Sequence, residues 1–184
     1  MVNHQVDLPE VAATSRRRLL ASLIAGTAAV AAAPLLAGRA SASEGLARDP
    51  KDFASLNASL KRERQMAATY ASAVAKASGD EKTALTLLHD HHAAYVDAIK
   101  GYLGSDAVNT NEAPLGSSAG SFAQIASQLS TLEDQTASMH IDLLATLVGH
   151  DAATLVASII TMEARHAAAL ALVGGATPLA AAGA

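Results

Sequence analysis

A glutamate and a histidine lie one helical turn apart on an otherwise apolar helix face between Val156 and Val173. Alternating steps of three and four residues trace the core-facing line of a bundle helix, and Glu163 and His166 fall on that line. An unpaired carboxylate in an apolar interior costs on the order of several kcal/mol, so Glu163 needs a proton, a cation or a metal. The Glu-x-x-His spacing directs both side chains to one point, as in metal-carrying bundles, although a hydrogen-bonded core pair has the same spacing.

Earlier segments of the chain show the same pattern of an apolar helical line interrupted by a polar residue. We predict helices over residues 52–77, 80–104 and 121–148, followed by a last helix that ends at Gly174 and Gly175. The interrupting residues are Glu63, His92, Glu133 and, in the last helix, Glu163 with His166. Glu63, His92, Glu133 and Glu163 each fall about twelve residues into their helix, which predicts one polar layer at mid-height.

The connections between these helices predict how they are arranged. The first and last connections are very short and make antiparallel pairs, whereas residues 104–120 form a long loop without periodicity. About seventeen residues reach roughly 55 Å when extended, and a helix of about 24 residues is only about 36 Å long. The loop can therefore return the chain to the other end, which predicts an all-α four-helix bundle with the crossover of ferritin-like bundles.

Polar residues at the predicted helix starts indicate N-caps. Ser121 with Gln124 three residues later forms a capping box. We expect Asp52 or Ser55 to cap the first helix and Asp151 to cap the last one.

Composition excludes several classes of function. The chain has 184 residues, is 51% hydrophobic but only 3% aromatic, and is therefore helix-prone. The absence of Cys rules out disulfides, thiolate metal sites and a Cys nucleophile. A net charge of -4 argues against nucleic-acid binding. The sequence also has no nucleophile-elbow motif and no Gly-rich phosphate loop.

Residues 1–42 have the order of segments of an export signal. A Ser-Arg-Arg-Arg-Leu-Leu core precedes an Ala-rich apolar run and the small-residue motif Ala40-Ser41-Ala42. This order resembles a twin-arginine (Tat) signal, so we expect a periplasmic, cell-wall or extracellular protein that meets the membrane only transiently. An uncleaved anchor is the alternative, but Gly26, Pro34 and the many Ala residues make a poor permanent span. Residues 43–51 are then a linker and residues 175–184 a disordered tail.

Three stretches resemble a known family. LSTLEDQTASMHIDLLATL and DAATLVASIITMEARHAAALALVGG resemble the last two helices of exported bacterial ferritin-like domain proteins, and HHAAYVDAIKGYLG resembles the end of their second helix. The resemblance covers residues 52–174 and implies a carboxylate-bridged centre of two iron or two manganese ions. It implies one Glu each from the first and third helices, here Glu63 and Glu133, and Glu163 with His166 from the fourth.

The second helix departs from that family pattern, which also has Glu-x-x-His there. This chain offers His92 with Tyr95 or, one turn earlier, His89 with His92. The loss of a bridging carboxylate weakens the second metal position most. The remaining residues are compatible with one six-coordinate iron or manganese, with zinc, with two ions, or with a hydrogen-bonded network without metal.

The other polar residues on these helices are expected to lie outside the metal site. Tyr70 and His140 are seven residues from Glu63 and Glu133, about 10.5 Å along the axis, so we expect core or second-layer hydrogen-bond partners. We expect His89, His91 and His150 to be exposed or partly exposed. Two functions remain open: an exported metal-binding protein, or a structural or interaction bundle that has lost the centre. A homodimer through exposed apolar faces is compatible with either.

Overall fold

Four α-helices make up most of the described chain. The computed structural model describes residues 48–116 and 119–175, and no strand occurs within those ranges. The helices are α1 (Phe53–Val74), α2 (Gly79–Leu103), α3 (Phe122–Leu144) and α4 (His150–Val173). Short 3-10 turns at Pro50–Asp52 and Gly104–Asp106 precede α1 and follow α2. The all-α four-helix prediction is confirmed.

Two of the helices end earlier than predicted. α1 ends at Val74 instead of Ala77, and α3 ends at Leu144 instead of Val148. After each end the chain makes one tighter turn, in which the N–H groups of Ala77 and Leu147 bond the carbonyls three residues back. Such tightening satisfies carbonyls at a helix end that have no α-helical partner.

The helices pack as two pairs joined by a crossover that runs along α1. α1 packs mainly against α2 and α3 against α4, with smaller contacts between α1 and α3 and between α2 and α4. Asn57, early in α1, binds the Asp106 carbonyl at 3.1 Å. Thr69, near the end of α1, accepts the N–H of Leu115 at 2.9 Å. The long connection therefore travels the length of α1, as the crossover prediction requires.

The core consists of two apolar clusters, one toward each end of the bundle. On α1, Leu56 and Leu60 belong to one cluster and Met66 and Tyr70 to the other. Glu63 lies between these pairs and is fully buried. On each of the other helices, too, the buried polar residues lie between residues of the two apolar clusters. The polar residues therefore form a layer between these clusters.

The predicted caps are right in one case and wrong in another. Ser121 and Gln124 form the capping box at the start of α3. The prediction for α4 is wrong, because Gly149 takes the N-cap position and Asp151 lies inside the first turn.

Asp52 takes the N-cap position of α1 but does not bond that helix through its side chain. Its buried carboxylate accepts the N–H groups of Val148 and Gly149 at 2.8 and 2.9 Å. Asp52 therefore ties the α3–α4 turn to the start of α1.

The predicted signal at 1–42 and, apart from Gly175, the predicted tail at 175–184 lie outside the described residues. Within the described ranges, α4 is long and apolar enough to cross a membrane by length and composition. That observation is weak evidence, since α4 also buries Glu163 and His166 inside the bundle as a core helix does.

Candidate metal centre

Six acidic and imidazole side chains meet between the two apolar clusters. Each of them is at most 2% exposed. They are Glu63 on α1, His92 on α2, Glu133 and His140 on α3, and Glu163 and His166 on α4. The five residues singled out from the sequence are all present in this layer, and His140 joins them.

The first group of three comprises Glu63, His140 and Glu163. Each offers one ligand atom, and these atoms all lie within 4.8 Å of one another. His140 Nδ1 is 3.0 Å from both Glu163 carboxylate oxygens, and His140 Nε2 is 3.7 Å from Glu63 Oε1. Ser59 Oγ lies 2.8 Å from the same Nε2 and steadies the ring. Two carboxylates and one imidazole are a donor set that suits divalent transition metals.

The second group comprises His92, Glu133 and His166, again with ligand atoms within 4.8 Å of one another. His92 Nε2 is 3.0 Å from Glu133 Oε1, and His166 Nδ1 is 3.4 Å from that same oxygen. His92 Nδ1 is also 2.7 Å from Glu63 Oε2, so His92 joins the two groups.

The sequence prediction for His140 is right that it is a buried hydrogen-bond partner and wrong that it lies too far away to join the layer. It used the separation between His140 and Glu133 along α3, but the partners of His140 belong to α1 and α4. In the antiparallel α3–α4 pair, Glu133 lies near His166 while His140 lies near Glu163. The signal was available, because His140 shares the core-facing line of Glu133, yet its cross-helix neighbours depend on the register between helices.

Tyr70 is the second-layer hydrogen-bond partner that the sequence predicted. Its hydroxyl donates to Glu133 Oε1, and its ring stacks on His92 with centroids 5.2 Å apart. Tyr95 meets the edge of the same imidazole at 5.9 Å. His89 is partly exposed and pairs with Asp90 at 3.0 Å. Among the described residues, α2 therefore contributes His92 alone to the two groups.

His91 is partly exposed, as expected, but it also contacts the layer, which the sequence did not predict. His91 is half-buried, its Nδ1 lies 2.9 Å from His166 Nε2, and the two ring planes are 12° apart. α2 and α4 are neighbours, so a residue beside the core line of α2 reaches the flank of α4. Burial and the nearby His166 lower the pKa of His91 to about 4, so this ring is neutral near pH 7. His150, in contrast, is 90% exposed.

Opposing environments shift the pKa values within the layer. Burial alone lowers the pKa of His92, but Glu133 and Glu63 outweigh it and hold that pKa well above its usual range. Both ring nitrogens face carboxylates, which only accept hydrogen bonds, so the geometry fits a doubly protonated imidazolium. Burial acts to raise the pKa of Glu133, but His92 and His166 outweigh it and lower that pKa to about 2.

The pKa of Glu163 is raised, whereas that of Glu133 is lowered. Burial, together with Glu63, raises the pKa of Glu163 to about 7, and His140 only partly offsets this. Arg62 brings positive charge near the three glutamates, but it is partly buried, which lowers its pKa, and its Nε donates to Thr136 at 2.8 Å. Despite this positive charge, the nearby Glu63 carboxylate opposes the ionisation of Glu163.

Three buried side-chain atoms in the described residues have no hydrogen-bond partner. They are Glu63 Oε1, Glu133 Oε2 and His166 Nδ1. Buried polar atoms are nearly always satisfied, so three of them in one layer require an explanation. Each of these atoms can present a lone pair, and a cation with nitrogen and oxygen ligands would satisfy them together. The residues present therefore fit a metal ion.

Comparison with known families agrees with this geometry. A family profile described as Ferritin-like domain matches residues 51–175. The chain belongs to the ferritin-like domain family. Searches of curated proteins and of solved structures each gave no significant match. In this ferritin-like chain the second helix contributes His92 but no carboxylate to the two groups among the described residues, and His140 adds an imidazole from α3.

Proposed function

We propose that this ferritin-like protein binds iron or manganese in the buried layer. The ligands are Glu63, His92, Glu133, Glu163 and His166, and we add His140 to that set. The observation that carries the proposal is the set of three buried atoms without partners, one each on Glu63, Glu133 and His166. Mixed carboxylate and imidazole ligands without sulfur suit these metals.

The two groups of three predict up to two ions per chain. Glu63, His140 and Glu163 hold one position, and His92, Glu133 and His166 hold the other. α2 supplies no carboxylate to these groups, and His140 provides the third ligand atom beside Glu63 and Glu163. The contact between His92 and Glu63 links the two positions.

The surrounding residues hold these ligands in place. Tyr70 donates to Glu133 and so fixes one carboxylate oxygen, while Ser59 holds the His140 ring. The apolar clusters above and below exclude water, which strengthens every charge interaction in the layer. A bound iron or manganese ion would supply redox chemistry toward dioxygen or peroxide. No turnover follows from these residues alone.

A bundle without metal is the second candidate. The contacts of His92 favour it, because a protonated His92 between Glu63 and Glu133 already neutralises part of the layer. A proton kept on Glu163 would remove another negative charge. Under this alternative the layer is a hydrogen-bonded network and the protein acts as a structural or interaction module.

Metal analysis of the purified full-length chain separates these candidates. After anaerobic loading with Fe(II) or Mn(II) and gel filtration, we expect one or two ions per chain by elemental analysis. Glu133→Gln and Glu163→Gln should each lower that content, whereas Glu112→Gln on the crossover loop is the matched control. Far-ultraviolet circular dichroism checks that the variants fold. A wild-type chain that retains no metal would support the second candidate.

We also propose that the protein is bacterial and is exported through residues 1–42 as a Tat-type signal. The support is the Arg16-Arg17 pair, the Ala-rich run and the Ala40-Ser41-Ala42 motif. Because that route carries folded proteins, metal can be inserted before export. Replacement of Arg16 and Arg17 by Lys should block export, and N-terminal sequencing of the exported form should locate cleavage near residue 42.

A further inference from the structure

His91 and His166 form a hydrogen-bonded pair of nearly parallel rings at the edge of the buried layer. His166 is 2% exposed and belongs to the group with His92 and Glu133, whereas His91 is half-buried on α2. His91 Nδ1 lies 2.9 Å from His166 Nε2, and the ring centroids are 5.1 Å apart. His91 therefore contacts His166 Nε2, whereas His166 Nδ1 is the nitrogen near Glu133.

A hydrogen bond between two imidazole nitrogens allows two arrangements of the shared proton. If His91 donates, a neutral His166 must carry its own hydrogen on Nδ1. That atom is buried and has no hydrogen-bond partner, so the arrangement leaves a buried donor unsatisfied at a cost of about 1–3 kcal/mol. If His166 donates from Nε2, its Nδ1 keeps a lone pair and needs no acceptor.

The position of Glu133 favours the second arrangement. His166 Nδ1 is 3.4 Å from Glu133 Oε1, and that oxygen already accepts hydrogen bonds from Tyr70 and His92. A lone pair on His166 Nδ1 and a carboxylate oxygen at this separation can both bind one cation. A hydrogen on Nδ1 would block that cation and, in the geometry present, would make no hydrogen bond to Oε1.

We propose that His91 is a positioning residue that sets the tautomer of His166. It accepts the Nε2 hydrogen of His166 and thereby directs the Nδ1 lone pair toward Glu133. The ligand served is a divalent transition-metal cation, so this inference rests on the proposed function. Partners of metal-bound histidines commonly fix the ring in this way, and their loss weakens metal binding about 10–100-fold.

Two substitutions at His91 separate the hydrogen bond from the packing. His91→Phe keeps an aromatic ring but has no acceptor, whereas His91→Asn loses the ring but keeps an amide oxygen near the position of Nδ1. His89→Phe, at a partly exposed histidine on the same helix, is the matched control.

The first readout is the tautomer of His166 without added metal. Two-bond proton–nitrogen NMR spectra of the chain in chelator distinguish hydrogen on Nδ1 from hydrogen on Nε2. We expect the Nε2–H form in the wild type, in His91→Asn and in His89→Phe, and its loss in His91→Phe. A wild-type Nδ1–H form, or an Nε2–H form that persists in His91→Phe, would overturn the inference.

The second readout is affinity for Co(II), used as the spectroscopic probe. We expect His91→Phe to weaken binding about tenfold and His91→Asn to restore most of it. If no variant binds metal but the tautomer changes as described, the proposed function fails while the control of His166 by His91 stands. If metal binds equally in every variant, His91 does not position the ligand and the inference is wrong.

Discussion

His140 on α3 faces Glu163 on α4, with its Nδ1 3.0 Å from both carboxylate oxygens. The contact joins two residues that are 23 positions apart in the chain. It gives the layer a second group of ligand atoms in addition to the one around Glu133.

Replacement of His140 should therefore remove one metal position. We expect His140→Leu to lower the metal content by one ion per chain in a protein that binds two, because the group with Glu133 remains intact. Elemental analysis after Mn(II) loading measures this, and His150→Leu at the 90% exposed histidine is the control. An unchanged metal content in His140→Leu would remove His140 from the ligand set.

The raised pKa of Glu163 predicts how stability depends on pH in chelator. Its pKa is about 7 in the folded chain against an ordinary value of 4.5, so the folded state holds a proton that the unfolded state releases. The stability that this proton contributes is present below about pH 4.5 and is lost as the pH rises toward 7. Between about pH 5 and pH 6.5 the loss should be about 2 kcal/mol.

Urea unfolding of the wild type and of Glu163→Gln across that range measures the effect as the difference between their pH dependences. The lowered pKa of His91 adds stability as the pH rises toward 6.5, but it does so in both proteins and cancels in the difference. The contribution from the raised pKa of His92 is lost only above about pH 6.5. The contribution from the lowered pKa of Glu133 is lost only below about pH 4.5, as the pH falls toward 2. If the wild type and Glu163→Gln depend on pH equally, Glu163 does not retain the proton.

Removal of the Tyr70 hydroxyl should destabilise the bundle. Tyr70→Phe keeps the stacked ring on His92 but takes a hydrogen bond from the buried Glu133 carboxylate. We expect a loss of about 1–3 kcal/mol in the free energy of unfolding, measured in urea. Metal loading should recover part of that loss, since a cation can satisfy the freed oxygen. A stability equal to that of the wild type would show that the hydroxyl contributes nothing net.

Asp52 predicts a stability effect that is independent of metal. Asp52→Ala leaves the N–H groups of Val148 and Gly149 without their carboxylate acceptor, which should cost about 1–3 kcal/mol. Asp106→Ala, at an aspartate whose side chain is 45% exposed, serves as the comparison. Metal content per folded chain should be unchanged in both, because Asp52 lies at the end of the bundle. Loss of metal from a folded Asp52→Ala chain would show that Asp52 and the metal layer are not independent.

Most of the fold was predictable because it depends on local patterns. The apolar lines through Leu60 and Ile159 determine which face of each helix turns inward, and the short, long and short connections determine the pairing. The same lines predicted that Glu63, Glu133 and Glu163 point into the interior at one height. Iron or manganese as the metal, and export of the chain, remain predictions.

The sequence by itself determined the four helices and their polar layer, because the helical repeat fixes the inward direction of each side chain. Only the tertiary structure decided that His140 meets Glu163 and that His91 meets His166. Those contacts depend on how far one helix is shifted and rotated against its neighbour. That register comes from the packing of the two apolar clusters, which no single helix encodes.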